Sequence, residues 1–205
     1  MRYKAVIFDI DGTLLDSEER SLLSLQRGIK KVTGREYSFE DLRFSLGIPG
    51  TVTMKTLGIE QSLEVRRAWQ EEFVKLKHME KMFEGIPETL EALKKLGVKM
   101  GIVTSRPKPQ YAQEMGAYPE AVYFTEVVCA EDVVNPKPAP DPLIEIMRRL
   151  DVKPEETLYV GDTHYDMQCA ASAGADGALA LWGASEPDKI SCTWKLSHPA
   201  EILEL

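Results

Sequence analysis

Three cysteines in 205 residues leave little from which to build a disulfide framework. Cys129, Cys169 and Cys192 are odd in number and show no CxxC spacing, so reduced thiols in a cytosolic (cytoplasmic) protein are expected. Histidine is equally scarce, and His78, His164 and His198 show no metal-ligand spacing. No window approaches the ~18 uninterrupted apolar residues of a membrane span. Met1 to Lys4 leads directly into a short apolar run ended by aspartates, unlike a secretory signal. Basic residues are outnumbered 25 to 33, and the net charge of −8 argues against a nucleic-acid partner. There is no internal repeat and no low-complexity tract. What is present is 43% apolar residues, enough for a substantial core. The length suits one compact domain, or one core with a smaller inserted domain.

Five segments read as strands. Ala5 to Phe8 is apolar and stops at Asp9, with Asp11, Gly12 and Thr13 following. Val98 to Ser105 ends in hydroxyls, Glu126 to Asp132 in acids, and Thr157 to Thr163 carries Gly161-Asp162; Gly177 to Trp182 is apolar. Continuous rather than alternating apolar runs indicate a parallel sheet covered on both faces. Pro87 to Gly97 and Pro140 to Leu150 have helical periodicity with Pro near the start. The order predicts an α/β fold with a Rossmann-like, doubly wound parallel sheet, whose ligands bind beyond the carboxyl ends of the strands. Thr193 to Leu205 reads as a last strand and a closing helix.

Residues 17–82 break the alternation. Ser17 to Gly34 and Ser62 to Met82 are helical by period, and no convincing strand lies between them. The block is too long for an ordinary crossover. It reads as an inserted α-helical cap, with the core formed by residues 1–16 and 83–205. The connections fall near Asp16 and in Phe83 to Pro87, where Gly and Pro suit a hinge.

In a parallel sheet the strand ends share one rim. That rim would hold the carboxylates of Asp9, Asp11, Asp162 and Asp166, the hydroxyls of Thr104 and Ser105, and the ammonium of Lys137 from the proline-rich loop Asn135 to Pro142. Four carboxylates close together need a counter-charge. All-oxygen ligands favour Mg²⁺, which readily binds phosphate as well. Lysine and hydroxyls then suit a phosphoryl group. An aspartate is ionised at neutral pH and can attack phosphorus without an activating base. A second carboxylate two residues on can protonate the leaving oxygen and later deprotonate a water. Gly12, lacking a Cβ, would let the backbone approach the phosphate.

Asp9-Ile10-Asp11-Gly12-Thr13, the strand ending at Thr104, Lys137, and Gly161-Asp162 with Asp166 resemble, in order and spacing, the four motifs of the haloacid dehalogenase-like hydrolases. The resemblance covers the whole chain and points to the phosphoglycolate phosphatase-like branch with a helical cap. It implies Asp9 as nucleophile and Asp11 as general acid/base, with Thr104 and Lys137 holding the phosphoryl group; Gly12 and Ser105 beside them are further substrate-binding candidates. It further implies Mg²⁺ on the Asp9 carboxylate, the Asp11 main-chain carbonyl and Asp162, with Asp166 in support. The expected activity is Mg²⁺-dependent hydrolysis of a small phosphorylated metabolite, a phosphoric monoester, through an aspartyl phosphate. Pyrophosphate, a sugar phosphate, a nucleotide or a phosphoglucomutase reaction are the alternatives, as is a non-catalytic binding or regulatory protein of the same fold. The dehalogenase branch lacks the second aspartate and is disfavoured.

Plainer readings exist for individual residues. Thr104 and Ser105 could cap the following helix, and Asp166 could face a helix dipole. Arg106 and Lys108 read as surface charge, with attraction of an anionic substrate as the alternative. His164 is read as having no metal or acid/base role. Leu46 to Gly50, "LGIPG", reads equally as a plain turn or as a loop that recognises substrate. Trp69, Trp182 and Trp194 are expected in packing roles, and the oligomeric state is not legible.

Overall fold

Strand β1 (Ala5–Phe8) is buried at all four positions in the computed structural model, which describes residues 2–205. Its side chains alternate between two cores, as the pleat requires. Val6 and Phe8 pack with Leu90 and Leu93 on one face, and Ala5 and Ile7 with Leu143 and Ile146 on the other. In β4 (Lys99–Val103), Met100 and Ile102 enter the first core and Val103 the second; in β6 (Thr157–Gly161), Leu158 and Val160 enter the first and Tyr159 the second. Burial on both faces is why these segments are apolar throughout.

With β5 (Glu126–Val128), β7 (Asp176–Ala180) and β8 (Trp194–Leu196), these strands form a six-stranded sheet of order β5-β4-β1-β6-β7-β8, parallel at every pairing. Phe8 lies opposite both Ile102 and Val160, so β1, β4 and β6 end close together. The chain builds outward through β4 and β5, then returns to add β6 on the other side of β1. That reversal is the topological switch point of a doubly wound sheet. Helix α5 (Ile86–Lys95) and a closing 3₁₀ helix (Pro199–Glu204) cover the first core; α7 (Asp141–Leu150) and α8 (His164–Ala173) cover the second.

The chain forms two compact units, residues 16–81 and residues 1–15 with 82–205. The first contains α1 (Glu18–Thr33), α2 (Phe39–Leu42), α3 (Gly50–Thr56) and α4 (Ser62–Lys75) around its own core of Leu22, Leu25, Ile29, Leu42, Met54 and Val65. Helix α1 carries Glu18 and Glu19 in its first turn and Lys30 and Lys31 in its last, matching the helix dipole at both ends.

Several boundaries differ from the expectation. The helix expected to run to Met82 ends at Lys75 and is followed by the two-residue strand β3 (Lys81–Met82). Its counterpart β2 (Leu15–Asp16) pairs with it as a two-stranded sheet. Two residues cannot display a period of two. The segment expected as a strand to Asp132 is a strand only to Val128, then a 3₁₀ turn over Ala130–Asp132.

Candidate active site

The site lies in the sheet-containing unit, where β1, β4 and β6 end. Asp9 follows β1 directly and is 3% exposed. Its Oδ1 accepts the Ile10 backbone N–H at 2.8 Å, and its Oδ2 lies 2.9 Å from Lys137 Nζ. Lys137 is buried as well, with Nζ also 2.7 Å from Asp166 Oδ1 and 3.3 Å from the Tyr159 hydroxyl oxygen. The loop before α7 thus delivers one ammonium between two carboxylates. The Lys137–Pro138 peptide is cis.

Asp166 has two jobs. As the third residue of α8 it completes a capping box, accepting from the Thr163 backbone N–H at 3.0 Å and from its hydroxyl at 2.6 Å on Oδ2. On Oδ1 it takes Lys137 and the Tyr159 hydroxyl, the latter at 2.9 Å. Both oxygens are therefore engaged with the protein. Gly161 makes this possible, because a Cβ there would lie 2.4 Å from the Asp166 Cβ.

Asp162 follows β6, and the Thr13 hydroxyl donates to its Oδ1 at 3.3 Å. Gly12, at φ +71°, sits against it: a Cβ there would lie 2.1 Å from Asp162 Oδ2. In this structure the missing Cβ of Gly12 makes room for Asp162. The Trp182 indole N–H closes the same turn with a 3.0 Å bond to the Thr13 carbonyl.

One carboxylate oxygen each from Asp9, Asp162 and Asp166 lies within 4.8 Å of the others, a group able to hold a metal ion. Its electrostatics fit a cation. Burial, with repulsion from Asp166 and Asp11, raises the Asp9 carboxyl to about 7 despite Lys137. Burial, with repulsion from Asp166 and Asp9, pushes Asp162 well above the carboxylate range. Burial also acts against ionised Asp166, but Lys137 and the Thr163 hydrogen bonds outweigh it and hold Asp166 low. Burial likewise disfavours the charged amine of Lys137, and Asp166 and Asp9 overcome that and raise it. One lysine thus serves two buried acids and a half-buried third, and the donors are all oxygen, the set a hard divalent cation takes.

Asp11 stands apart from this cluster. Its carboxylate is gripped by Arg106, Nε to Oδ2 at 2.8 Å and Nη2 to Oδ1 at 2.6 Å. Arg106 is not surface charge as expected: it is 4% exposed. Lys108 is at the surface, paired with Asp132. Thr104 is buried at the end of β4, and its hydroxyl accepts the Arg106 backbone N–H at 3.1 Å. Neither Thr104 nor Ser105 caps the next helix, α6 (Lys108–Gln113), whose cap position is Pro107. His164 is exposed against Tyr165, with ring centroids 3.8 Å apart. Leu46 to Pro49 is the turn before α3 in the helical unit, and Gly50 is the first residue of that helix. The three cysteines are free thiols. Each tryptophan is partly buried and also donates a hydrogen bond, Trp69 to Ser24 and Trp194 to Tyr3.

Sequence reasoning missed Tyr159, Glu114 and the burial of Arg106. Tyr159 had a signal: a tyrosine in the middle of a buried strand needs a partner for its hydroxyl. Glu114 and Arg106 had none, since nothing in their spacing distinguishes a buried pair from a solvated one.

A doubly wound parallel sheet with an acidic, metal-capable cluster and a buried lysine at its switch point defines a Rossmann-like fold with a candidate cation site. Residues 6–180 match the haloacid dehalogenase-like hydrolases, and the chain belongs to that family. It is 29% identical to Phosphoglycolate phosphatase of Aquifex aeolicus, over 98% of this chain and 96% of that one. It is 33% identical to Pyrophosphatase PpaX of Bacillus mycoides, over 89% and 85% of the two chains. Among solved structures, a Lactobacillus plantarum protein provisionally assigned as a phosphoglycolate phosphatase superposes with a TM-score of 0.91 at 26% identity, covering 100% of this chain and 99% of that one. The chain is a hydrolase, and its family and relatives put it with the phosphatases, the phosphoric monoester hydrolases. No helix among the described residues is long and apolar enough to cross a membrane.

Proposed function

We propose that the protein hydrolyses a small, phosphoglycolate-like phosphomonoester in a Mg²⁺-dependent reaction through an aspartyl phosphate on Asp9. The observation that carries this is the buried Asp9 carboxylate, held by the Ile10 N–H and Lys137 and facing Asp162 across a metal-sized gap. Mg²⁺ would be held by the carboxylates of Asp9 and Asp162 and the Asp11 carbonyl, and would supply charge neutralisation for the incoming phosphoryl group. Asp166, with both oxygens already engaged, supports Lys137 instead.

In the first step an Asp9 oxygen bonds to phosphorus and the ester P–O bond breaks. Asp11 gives its proton to the leaving alkoxide. In the second step water attacks the aspartyl phosphate, Asp11 takes the water's proton, and the acyl P–O bond breaks to return the Asp9 carboxylate. Lys137 keeps its charge throughout and stabilises the phosphoryl oxygens, with Thr104 and Ser105 as further donors, whereas the Gly12 N–H is already given to the Leu15 carbonyl at 2.9 Å. We assign substrate choice to the helical unit, 16–81, inserted after the nucleophile's strand, as a cap. The partner is a small phosphorylated metabolite.

The second reading is pyrophosphate hydrolysis, favoured by the 33% identity to Pyrophosphatase PpaX. A panel of phosphate esters, including 2-phosphoglycolate, together with pyrophosphate, assayed with Mg²⁺ and with chelator, tests both. The expected result is phosphate release from a small monoester, lost with chelator and lost in Asp9→Asn. Preference for pyrophosphate would select the second reading, and no release from any of them would defeat both.

A further inference from the structure

Arg106 is better built than a charge-attracting side chain needs to be. It lies two residues past Thr104 in the sheet-containing unit, with 4% of its surface exposed. Its backbone N–H is tied to the Thr104 hydroxyl at 3.1 Å, and its carbonyl accepts the Ala130 N–H at 3.1 Å. One edge of the guanidinium grips both oxygens of Asp11, at 2.6 and 2.8 Å. Its remaining terminal nitrogen, Nη1, reaches Glu114 Oε2 at 2.7 Å. Glu114 is itself 3% exposed, and Gln110 Nε2 approaches the same oxygen at 3.4 Å. The Asp11 side chain, by contrast, is 31% exposed, so the clamp holds it while leaving it accessible.

Two facts separate positioning from substrate binding. The guanidinium already faces two carboxylates, so an anionic substrate tail would meet net negative charge there. The contact with Asp11 is also bidentate, which sets the plane of the carboxylate as well as its distance. We infer that Arg106 is a positioning residue for Asp11, with Glu114 bracing the guanidinium from behind. The inference rests on the reading of Asp11 as acid and base. Arg106 touches neither bond that forms nor bond that breaks. It fixes the direction from which Asp11 meets the leaving oxygen and the attacking water. Lysine cannot substitute, since an ammonium is a point charge without a planar fork.

The test compares Arg106→Met, Arg106→Lys and Glu114→Gln, the first two also in an Asp11→Asn background, on an alkyl phosphate and on 4-nitrophenyl phosphate. Misplacing a proton donor by about 1 Å costs on the order of 100-fold, so Arg106→Met should lower kcat on the alkyl ester by about that factor. KM should change less than about twofold, because ground-state binding is untouched. Phosphorylation of Asp9 by 4-nitrophenyl phosphate, measured in a single turnover as burst phenolate and added phosphoryl mass, should fall less than about tenfold, since that phenol leaves with little help. Arg106→Lys should stay close to Arg106→Met, Glu114→Gln should show the same pattern more weakly, and no Arg106 change should add to the loss in Asp11→Asn. An undiminished Arg106 effect in Asp11→Asn would overturn the inference. So would a KM that rises with the negative charge of the substrate's tail, or a uniform loss across leaving groups restored by lysine. If Arg106→Met does not fold, Arg106→Lys and Glu114→Gln decide by the same criteria. Failure of the wild-type protein to release phosphate from any ester would defeat the phosphatase reading itself, and normal wild-type turnover with Asp11-independent losses would defeat only the assignment of Arg106.

Discussion

Two lysines near the β4 and β5 ends carry different loads. Lys137 sits between Asp9 and Asp166 with almost no solvent contact, while Lys108 is solvated and pairs with Asp132 at the surface. Removing the buried cation leaves two carboxylates facing each other in a poorly hydrated site. Lys137→Met should therefore cost about 3–5 kcal/mol of stability. It should also lower kcat by roughly 10²–10³. Lys108→Met should change kcat little, because water and salt already screen it. Denaturant titrations and initial rates on both variants check this, and comparable losses at the two positions would contradict it. Gly12 offers a second residue-scale test. Alanine there meets both a positive φ and the Asp162 carboxylate 2.1 Å away. Gly12→Ala should weaken Mg²⁺ binding, read by calorimetry, and cost upward of ~1 kcal/mol in stability.

Within the helical unit, the element that stands out is the start of α1. Arg20 is fully buried, with Nε and Nη2 on the Phe73 carbonyl at 2.9 and 2.7 Å, Nη1 on Glu80 at 2.7 Å, and its plane 3.6 Å over the Phe73 ring. It ties the first turn of α1 to the end of α4 and to the residue before β3. The first turn of α1 and the residue before β3 lie where the chain enters and leaves the unit. Arg20→Met leaves Glu80 charged in an apolar setting and should destabilise the helical unit by about 3–5 kcal/mol. Replacing Arg20 and Glu80 together by methionine should recover much of that loss. Hydrogen exchange of α1 and α4 amides in the three proteins measures it, and equal protection in the single and double variants would count against the pair.

At the scale of the whole molecule, the acidic site sets a pH dependence. Asp9 ionises near 3.8 when unperturbed and is raised to about 7 in the folded chain. The folded state thus holds a proton that the unfolded state releases. The resulting stability is fully present below about pH 4 and is lost as pH rises through 7. Asp162 is shifted in the same direction, while Asp166, shifted down, contributes only above the ordinary carboxylate range. The metal-free protein should therefore melt at a lower temperature at pH 8 than at pH 5. A divalent cation needs the ionised carboxylates, so the rise in Tm on adding Mg²⁺ should grow over the same interval. Thermal unfolding at several pH values, with Mg²⁺ and with chelator, checks both trends, and a metal-free Tm that climbs steadily from pH 5 to pH 8 would contradict the first.

Local chemistry made much of this molecule legible without coordinates. Strands buried on both faces are apolar throughout, so β1, β4, β6 and β7 announced a covered parallel sheet. Once the sheet is parallel, its topology carries the strand ends to one rim, and that rule together with the family resemblance pointed to Asp9, Thr104, Lys137, Asp162 and Asp166, of which the structure clusters Asp9, Lys137, Asp162 and Asp166. The two-residue strands β2 and β3 are too short to carry a period, and the end of α4 was blurred by a following 3₁₀ turn. Partner choice was beyond the sequence. Whether Arg106 faced water or Asp11, whether Tyr159 donated to Asp166, and whether Gly12 made room for a carboxylate depend on distances between segments far apart in the chain. Sequence determined which groups reach the site, because residue type and strand order suffice for that. Only the tertiary structure decided which of them touch, because hydrogen bonds and ion pairs are made or lost within an ångström.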